Sequence, residues 1–177
     1  PEDFSEEQTM IRNTTAQFVE DEILPQADRI ERQEWDVTVN LLRRCAELGL
    51  LGIEVPEKYG GDDLDKVSAM IVAEQFARVA SFNVSYGGHS GIGTLPIVYF
   101  GKEEQKRKYL PLLCKAEMIS SYALSEAGSG SDALAAKTNA VANADGTHWI
   151  VNGEKVSGPP VTLVLTEVAR LLALAVP

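Results

Sequence analysis

Apolar residues recur at three- and four-residue steps along the first part of the chain, then give way to alternation, and this change of period organises the sequence. The opening FSEEQ lets Ser5 cap the N–H of Gln8 while Gln8 reaches back, a capping box. Ile11, Thr15, Phe18 and Glu22 then share one face, flanked by Met10, Thr14 and Val19, with Glu22 marking where that face meets solvent. The pattern predicts a first helix, interrupted or restarted at Pro25. Asp36 precedes a second helical pattern of Leu41, Leu42, Cys45 and Leu48, closed by Gly49 as a C-terminal cap. In LGIEVPEKYGGDD the period is lost at Pro56, Gly60 and Gly61, which predicts a loop. A third helix is expected from about Leu64, with Val67, Met70, Ile71, Glu74 and Ala77 at helical steps.

The next stretch, SYGGHSGIGTLPIVYFG, keeps Ile92, Leu95, Val98 and Phe100 but is rich in glycine, which costs helix stability. It reads either as a close backbone approach to a neighbour or ligand, or as an irregular buried connection. Pro96 starts a short helix, and KEEQKRKYLPLLCKAE follows as a helix with a charged outer face and Tyr109, Leu110, Leu112 and Leu113 turned inward. After Met118, ISSYALSE reads as a strand, and TNAVANADGTHWIVNGEKV reads as a hairpin turning at Asp145 and Gly146 with positive φ at both. Asn152 and Gly153 look like a second such turn. The expected fold class is therefore α+β: an all-α helical bundle over residues 1–117, then the start of an antiparallel β domain over 118–158. Residues 159–177 form a tail of uncertain register.

With 45% apolar residues among 177, the chain has enough to build a core. A net charge of −10 and a pI near 4.7 argue against nucleic acid or an anionic membrane surface, although backbone N–H groups can still hold an anion locally. Cys45 and Cys114 have neither metal-like nor CxxC spacing and read as buried thiols, and two histidines, His89 and His148, are too few for a histidine metal site. The apolar run at 161–176 contains Glu167 and Arg170 and is short and polar for a membrane span. No targeting segment is visible at either end.

The segment YALSEAGSGSD, residues 122–132, carries the candidate chemistry. Glycines at 128 and 130 let successive backbone N–H groups converge on an anion, and the hydroxyls of Ser129 and Ser131 can add donors. No Lys-Ser/Thr pair follows, so it is not a Walker loop, and it is not a GxGxxG between strand and helix. A flexible linker and a phosphate cradle both fit the loop alone. A linker, however, has no reason to begin with the strand-like, aromatic-bearing YALSE.

Four ordered blocks carry a family resemblance: FSEEQTMIRNTTAQFVEDEILP, AELGLLGIEVPEKYGG, FGKEEQKRKYLPLLCKAE and YALSEAGSGSDALAAKT, followed by NGEK in the hairpin. In them the chain resembles the acyl-CoA dehydrogenases, flavoenzymes that oxidise an acyl-CoA thioester to its trans-2-enoyl form in reactions such as fatty-acid β-oxidation. The resemblance implies FAD as cofactor. Tyr122 and Leu124 would present backbone to the flavin, and Ser125 would bond its pyrimidine edge. Gly130 and Ser131 would bracket the pyrophosphate, with Ser131 also near the CoA portion of the substrate. Ser85, Gly88 and Ile92 would line the acyl pocket, and Gly87 with Gly88 would leave it roomy enough for a longer or branched chain. In the implied mechanism a glutamate takes the Cα proton, hydrogen bonds stabilise the enolate-like thioester oxygen, and the Cβ hydride passes to the flavin. Electron-transfer flavoprotein would be the electron acceptor. Assembly as a homo-oligomer, typically a tetramer, is also implied. The location would be the cytoplasm of a bacterium or the mitochondrial matrix of a eukaryote.

The pattern departs after NGEK: VSGPP places Ser157 where the family has an aromatic and Pro159 where it has a hydroxyl toward flavin N5. Proline offers neither a hydroxyl nor an N–H. The family's C-terminal helical domain, which supplies the catalytic glutamate, is not matched. Glu126 and Glu154 do not fall at the base position, so no catalytic residue is assigned. Activity within a larger enzyme and a non-catalytic assembly or regulatory module derived from the family are the two expectations.

Overall fold

The computed structural model describes residues 4–156, so the NGEK departure at Ser157 and Pro159, the tail at 159–177 and its apolar run lie outside the described residues. The chain divides into two compact units, Pro1–Ile119 and Ser120–Pro177. The first is helical and the second carries a small antiparallel sheet, an α+β organisation.

Helix α1 (Glu6–Phe18) begins with the expected capping box: Gln8 N donates to Ser5 Oγ at 3.1 Å and Ser5 N to Gln8 Oε1 at 3.2 Å. It runs into a π-helical turn, Val19–Ile23, and a 3-10 turn around Pro25 before α2 (Ala27–Glu31). Helix α3 (Trp35–Glu47) buries Leu41, Leu42 and Cys45 and ends in a Schellman motif, with Gly49 at φ +74° and Leu50 N donating to Cys45 O at 2.8 Å. Glu22, at the solvent edge of its face as expected, receives both Arg44 Nε and Arg44 Nη2 at 3.0 Å.

Asp65 caps α4 (Lys66–Phe76), accepting from Ser68 N at 2.8 Å. The buried face is Ser68, Ile71, Val72 and Phe76, while Val67 and Met70 are exposed, which corrects the face read from spacing. The run VSAMIVA is apolar nearly all round, so its period does not choose a face. Packing against α1 does.

The glycine-rich stretch is not an irregular connection. It continues α5 (Ala80–Tyr86) as a π-helical turn, Gly87–Gly93, into α6 (Leu95–Phe100), with Pro96 in its first turn. No described protein atom comes within 4 Å of where a Cβ would stand at Gly87, Gly88 or Gly91. Helix α7 (Glu103–Cys114) buries Tyr109, Leu110, Leu113 and Cys114 and half-buries Leu112. At the centre of the helical unit Phe76 meets Phe18, Phe82 and Tyr86 edge-on, with ring centroids 6.3, 5.2 and 4.6 Å away.

In the second unit β1 (Asn139–Ala142) pairs with β2 (Trp149–Asn152) in antiparallel register, Ala142 opposite Trp149. The expected strand at ISSYALSE is absent: among the described residues, only an isolated bridge between Glu126 and Ser129 forms there. A strand exists only where a partner ladder exists, and side-chain patterning cannot supply one. The hairpin turn also differs from expectation. Gly146 alone takes positive φ, at +71°, and the loop is longer, with Asn143 N bonded to His148 O at 2.9 Å and Gly146 N to Asn143 O at 3.0 Å. Asn152 ends β2 and does not open a second turn. Gly153 is required by packing, because a Cβ there would lie 2.7 Å from Thr138 Cα.

Candidate cofactor loop and acyl-facing helix

Residues 122–132 form an open loop. Tyr122 and Leu124 are exposed, Ser125 is half-buried, and Gly128, Gly130 and Ser131 face solvent. No described protein atom lies within 4 Å of a Cβ position at Gly128 or Gly130, so their backbone is accessible to a bulky anion. Ser129 behaves otherwise than its sequence suggests. It is buried, its Oγ donates inward to Asp132 O at 2.7 Å, and its N–H bonds Glu126 O at 3.1 Å. Of Ser129 and Ser131, only Ser131 is exposed.

Beneath this loop the Glu126 carboxylate accepts Lys155 Nζ at 2.8 Å, Thr138 N at 3.0 Å and Lys137 N at 2.6 Å. The Lys155 ammonium, with these further donors, holds Glu126 well below the usual carboxylate range. An acid two residues from the glycines would ordinarily repel a phosphate. Here its charge is matched and its side chain is 8% exposed. The loop therefore fits a pyrophosphate: accessible glycine backbone, an exposed serine, and a compensated carboxylate.

In the helical unit Ser85, Gly88 and Ile92 fall at helical steps on α5 and its π-helical extension. Ser85 is half-buried, with Oγ donating to Ser81 O at 3.1 Å, Gly88 is half-buried, and Ile92 is 56% exposed. On the same helix Gly87 and Gly91 line a different feature, an apolar cavity of about 340 Å³ bounded also by Val55, Met70 and Ala73. Lys66 and Glu54, which pair with each other, are also in its wall. Sequence reasoning missed this cavity because it depends on how α4 packs beside α5.

On the π-helical turn His89 is buried, with Nε2 3.1 Å from Leu113 O of α7, and burial pushes its pKa down to about 4. Cys45 and Cys114 are buried free thiols, and burial raises the Cys114 thiol to about 11. Among the described residues no group of three His, Cys, Asp or Glu could hold a metal ion. Nor is any described helix long and apolar enough to cross a membrane.

Comparison with known proteins decides the lineage. Residues 5–117 match the family described as "Acyl-CoA dehydrogenase, N-terminal domain". The chain belongs to the acyl-CoA dehydrogenase family. It is 56% identical over 155 residues to a probable acyl-CoA dehydrogenase of Bacillus subtilis, covering 88% of this chain and 26% of that protein. Mitochondrial isovaleryl-CoA dehydrogenase of Bos taurus is 36% identical, over 98% of this chain and 41% of its own length. A crystal structure of an acyl-CoA dehydrogenase complexed with FAD from Bacillus anthracis superposes with a TM-score of 0.85 at 57% identity, over 88% of this chain and 27% of the other. This family member thus spans about a quarter of the length of these two Bacillus relatives.

Proposed function

We infer that this acyl-CoA dehydrogenase chain supplies the N-terminal part of an enzyme that oxidises an acyl-CoA thioester to its trans-2-enoyl-CoA with FAD. The observation that carries this reading is the accessible glycine-serine loop with its acid compensated from below, in a chain of this family. The FAD named with the Bacillus anthracis relative supports the choice of cofactor.

When bound, FAD supplies the hydride-accepting ring. Gly130 and Ser131 hold its pyrophosphate through backbone N–H groups and the Ser131 hydroxyl, and Ser131 also reaches the CoA portion of the substrate. Tyr122 and Leu124 present backbone to the ring, and Ser125 orients its pyrimidine edge. Ser85, Gly88 and Ile92 line the acyl chain and exclude water from it. The open space at Gly88 favours a longer or branched acyl group. Glu126 is not the base that takes the Cα proton, since it is committed to Lys155 and holds its proton too weakly. An electron-transfer flavoprotein would be the electron acceptor, and the enzyme would work as a homo-oligomer.

The test is anaerobic mixing of the purified intact flavoprotein with acyl-CoA thioesters while the flavin absorbance is followed. Bleaching with enoyl-CoA formation is expected. A protein that stays colourless after incubation with FAD, or a flavin that no acyl-CoA bleaches, would favour a non-catalytic module.

A further inference from the structure

Glu126 lies inside the loop assigned to the cofactor, yet its side chain turns away from the exposed glycines and becomes the meeting point of three separate stretches of the second unit. Its carboxylate takes the N–H groups of Lys137 and Thr138 and the ammonium of Lys155. Lys155 Nζ also donates to Leu124 O at 2.9 Å. One residue further on, Val156 N donates to Ser125 O at 2.9 Å. The Glu126 peptide exchanges two bonds with Ser129, at 2.9 and 3.1 Å, closing the turn that presents Gly128 and Gly130.

These bonds have a directional consequence. In a trans peptide the C=O and the following N–H point to opposite sides of the chain. Lys155 draws the Leu124 carbonyl toward itself, which aims the Ser125 N–H the other way. Val156 does the same to the Ser125 carbonyl, which aims the Glu126 N–H at Ser129 O. The side chains of Glu126 and Lys155 are 8% and 19% exposed, so this pair is shielded far more than a surface ion pair.

We propose that Glu126 and Lys155 are a positioning pair that sets the peptide planes of the cofactor loop from beneath, acting through Leu124, Ser125 and Ser129 without touching flavin or substrate. The proposal rests on the reading of residues 122–131 as the FAD segment. Lys155 has a second effect: removing it leaves the Glu126 charge uncompensated beneath a phosphate cradle.

The experiment compares the intact flavoprotein with Lys155→Met, Lys155→Arg and Glu126→Gln. It measures FAD affinity, the visible circular dichroism of the bound flavin at saturating FAD, and the melting temperature of the apoprotein. Lys155→Met is expected to loosen FAD by about 10-fold to 100-fold, the equivalent of one charge-assisted hydrogen bond. It should also alter the dichroism at saturation. Lys155→Arg should restore most of both, and Glu126→Gln should fall between. If Lys155→Met lowers only the apoprotein melting temperature, with affinity and dichroism at wild-type values, the pair is structural and the proposal is wrong. Should Lys155→Met fail to fold, Glu126→Gln with wild-type affinity and dichroism overturns it equally. A wild-type protein that binds no FAD brings down the functional reading, and this proposal with it.

Discussion

In the helical unit Phe76 sits fully buried against Phe18, Phe82 and Tyr86, whereas in the β unit the Glu126 carboxylate gathers Lys155, Lys137 and Thr138 around itself. Burial of carbon is non-directional and tolerates small shifts. A carboxylate gathering N–H groups is directional, so it fixes peptide orientation more than it adds bulk stability. The contrast suits the proposed division of labour: a helical wall for an acyl chain and an oriented backbone for a cofactor.

The sharpest way to break this comparison is to remove carbon from the first unit. Phe76→Ala should cost about 3–5 kcal/mol, because three rings lose a shared partner and the cavity cannot fully collapse. Urea melts followed by far-ultraviolet circular dichroism measure this, and a cost below about 1 kcal/mol would show that the aromatic cluster is not the keystone.

Acid probes the same unit through His89. Its folded pKa of about 4 lies below the ordinary 6.5, so the unfolded chain takes the proton first. Stability is complete above pH 6.5 and declines as pH falls toward 4, by about 3 kcal/mol in total. Melts across this range, repeated with His89→Gln, should show the slope flattening in the variant. An unchanged slope assigns the acid sensitivity elsewhere.

The β unit is tested by Gly153→Ala, whose Cβ would crowd Thr138. A cost of about 1–3 kcal/mol is expected, since the obstacle includes backbone. It should be read as faster amide exchange in residues 139–142 and 149–152, and unchanged protection there would mean that the crowding is easily relieved. The smallest effect belongs to Ser5→Ala, about 1 kcal/mol from loss of the α1 cap. An effect near zero in the same melts would mean that the first turn contributes nothing to the unit.

How far the fold was legible follows the same contrast. The Ser5 and Gln8 box, the Gly49 stop and the Pro25 and Pro96 restarts were readable because each is set by residues within one helical turn. The buried face of α4 was not, because Val67, Met70 and Ile71 are all apolar and only packing against α1 selects among them. In the site, the glycine-serine loop announced itself, but Ser129 turned inward and Glu126 acquired a partner 29 positions away that no local pattern marks. The one available signal was Glu126 set just before the glycines, a charge that needs compensation if the loop is to hold an anion.

The sequence by itself determined the Ser5 and Gln8 capping box, the stop at Gly49, the restarts at Pro25 and Pro96, and the loop rich enough in glycine to expose its backbone. These depend on local sterics and on hydrogen bonds that close within a few residues. Tertiary structure alone decided that the segment before the loop is no strand, that the glycine-rich stretch stays helical, and that Lys155 holds Leu124 and Glu126 together. Each of these depends on a partner distant in the chain, and only folding brings such a partner within hydrogen-bonding or packing distance.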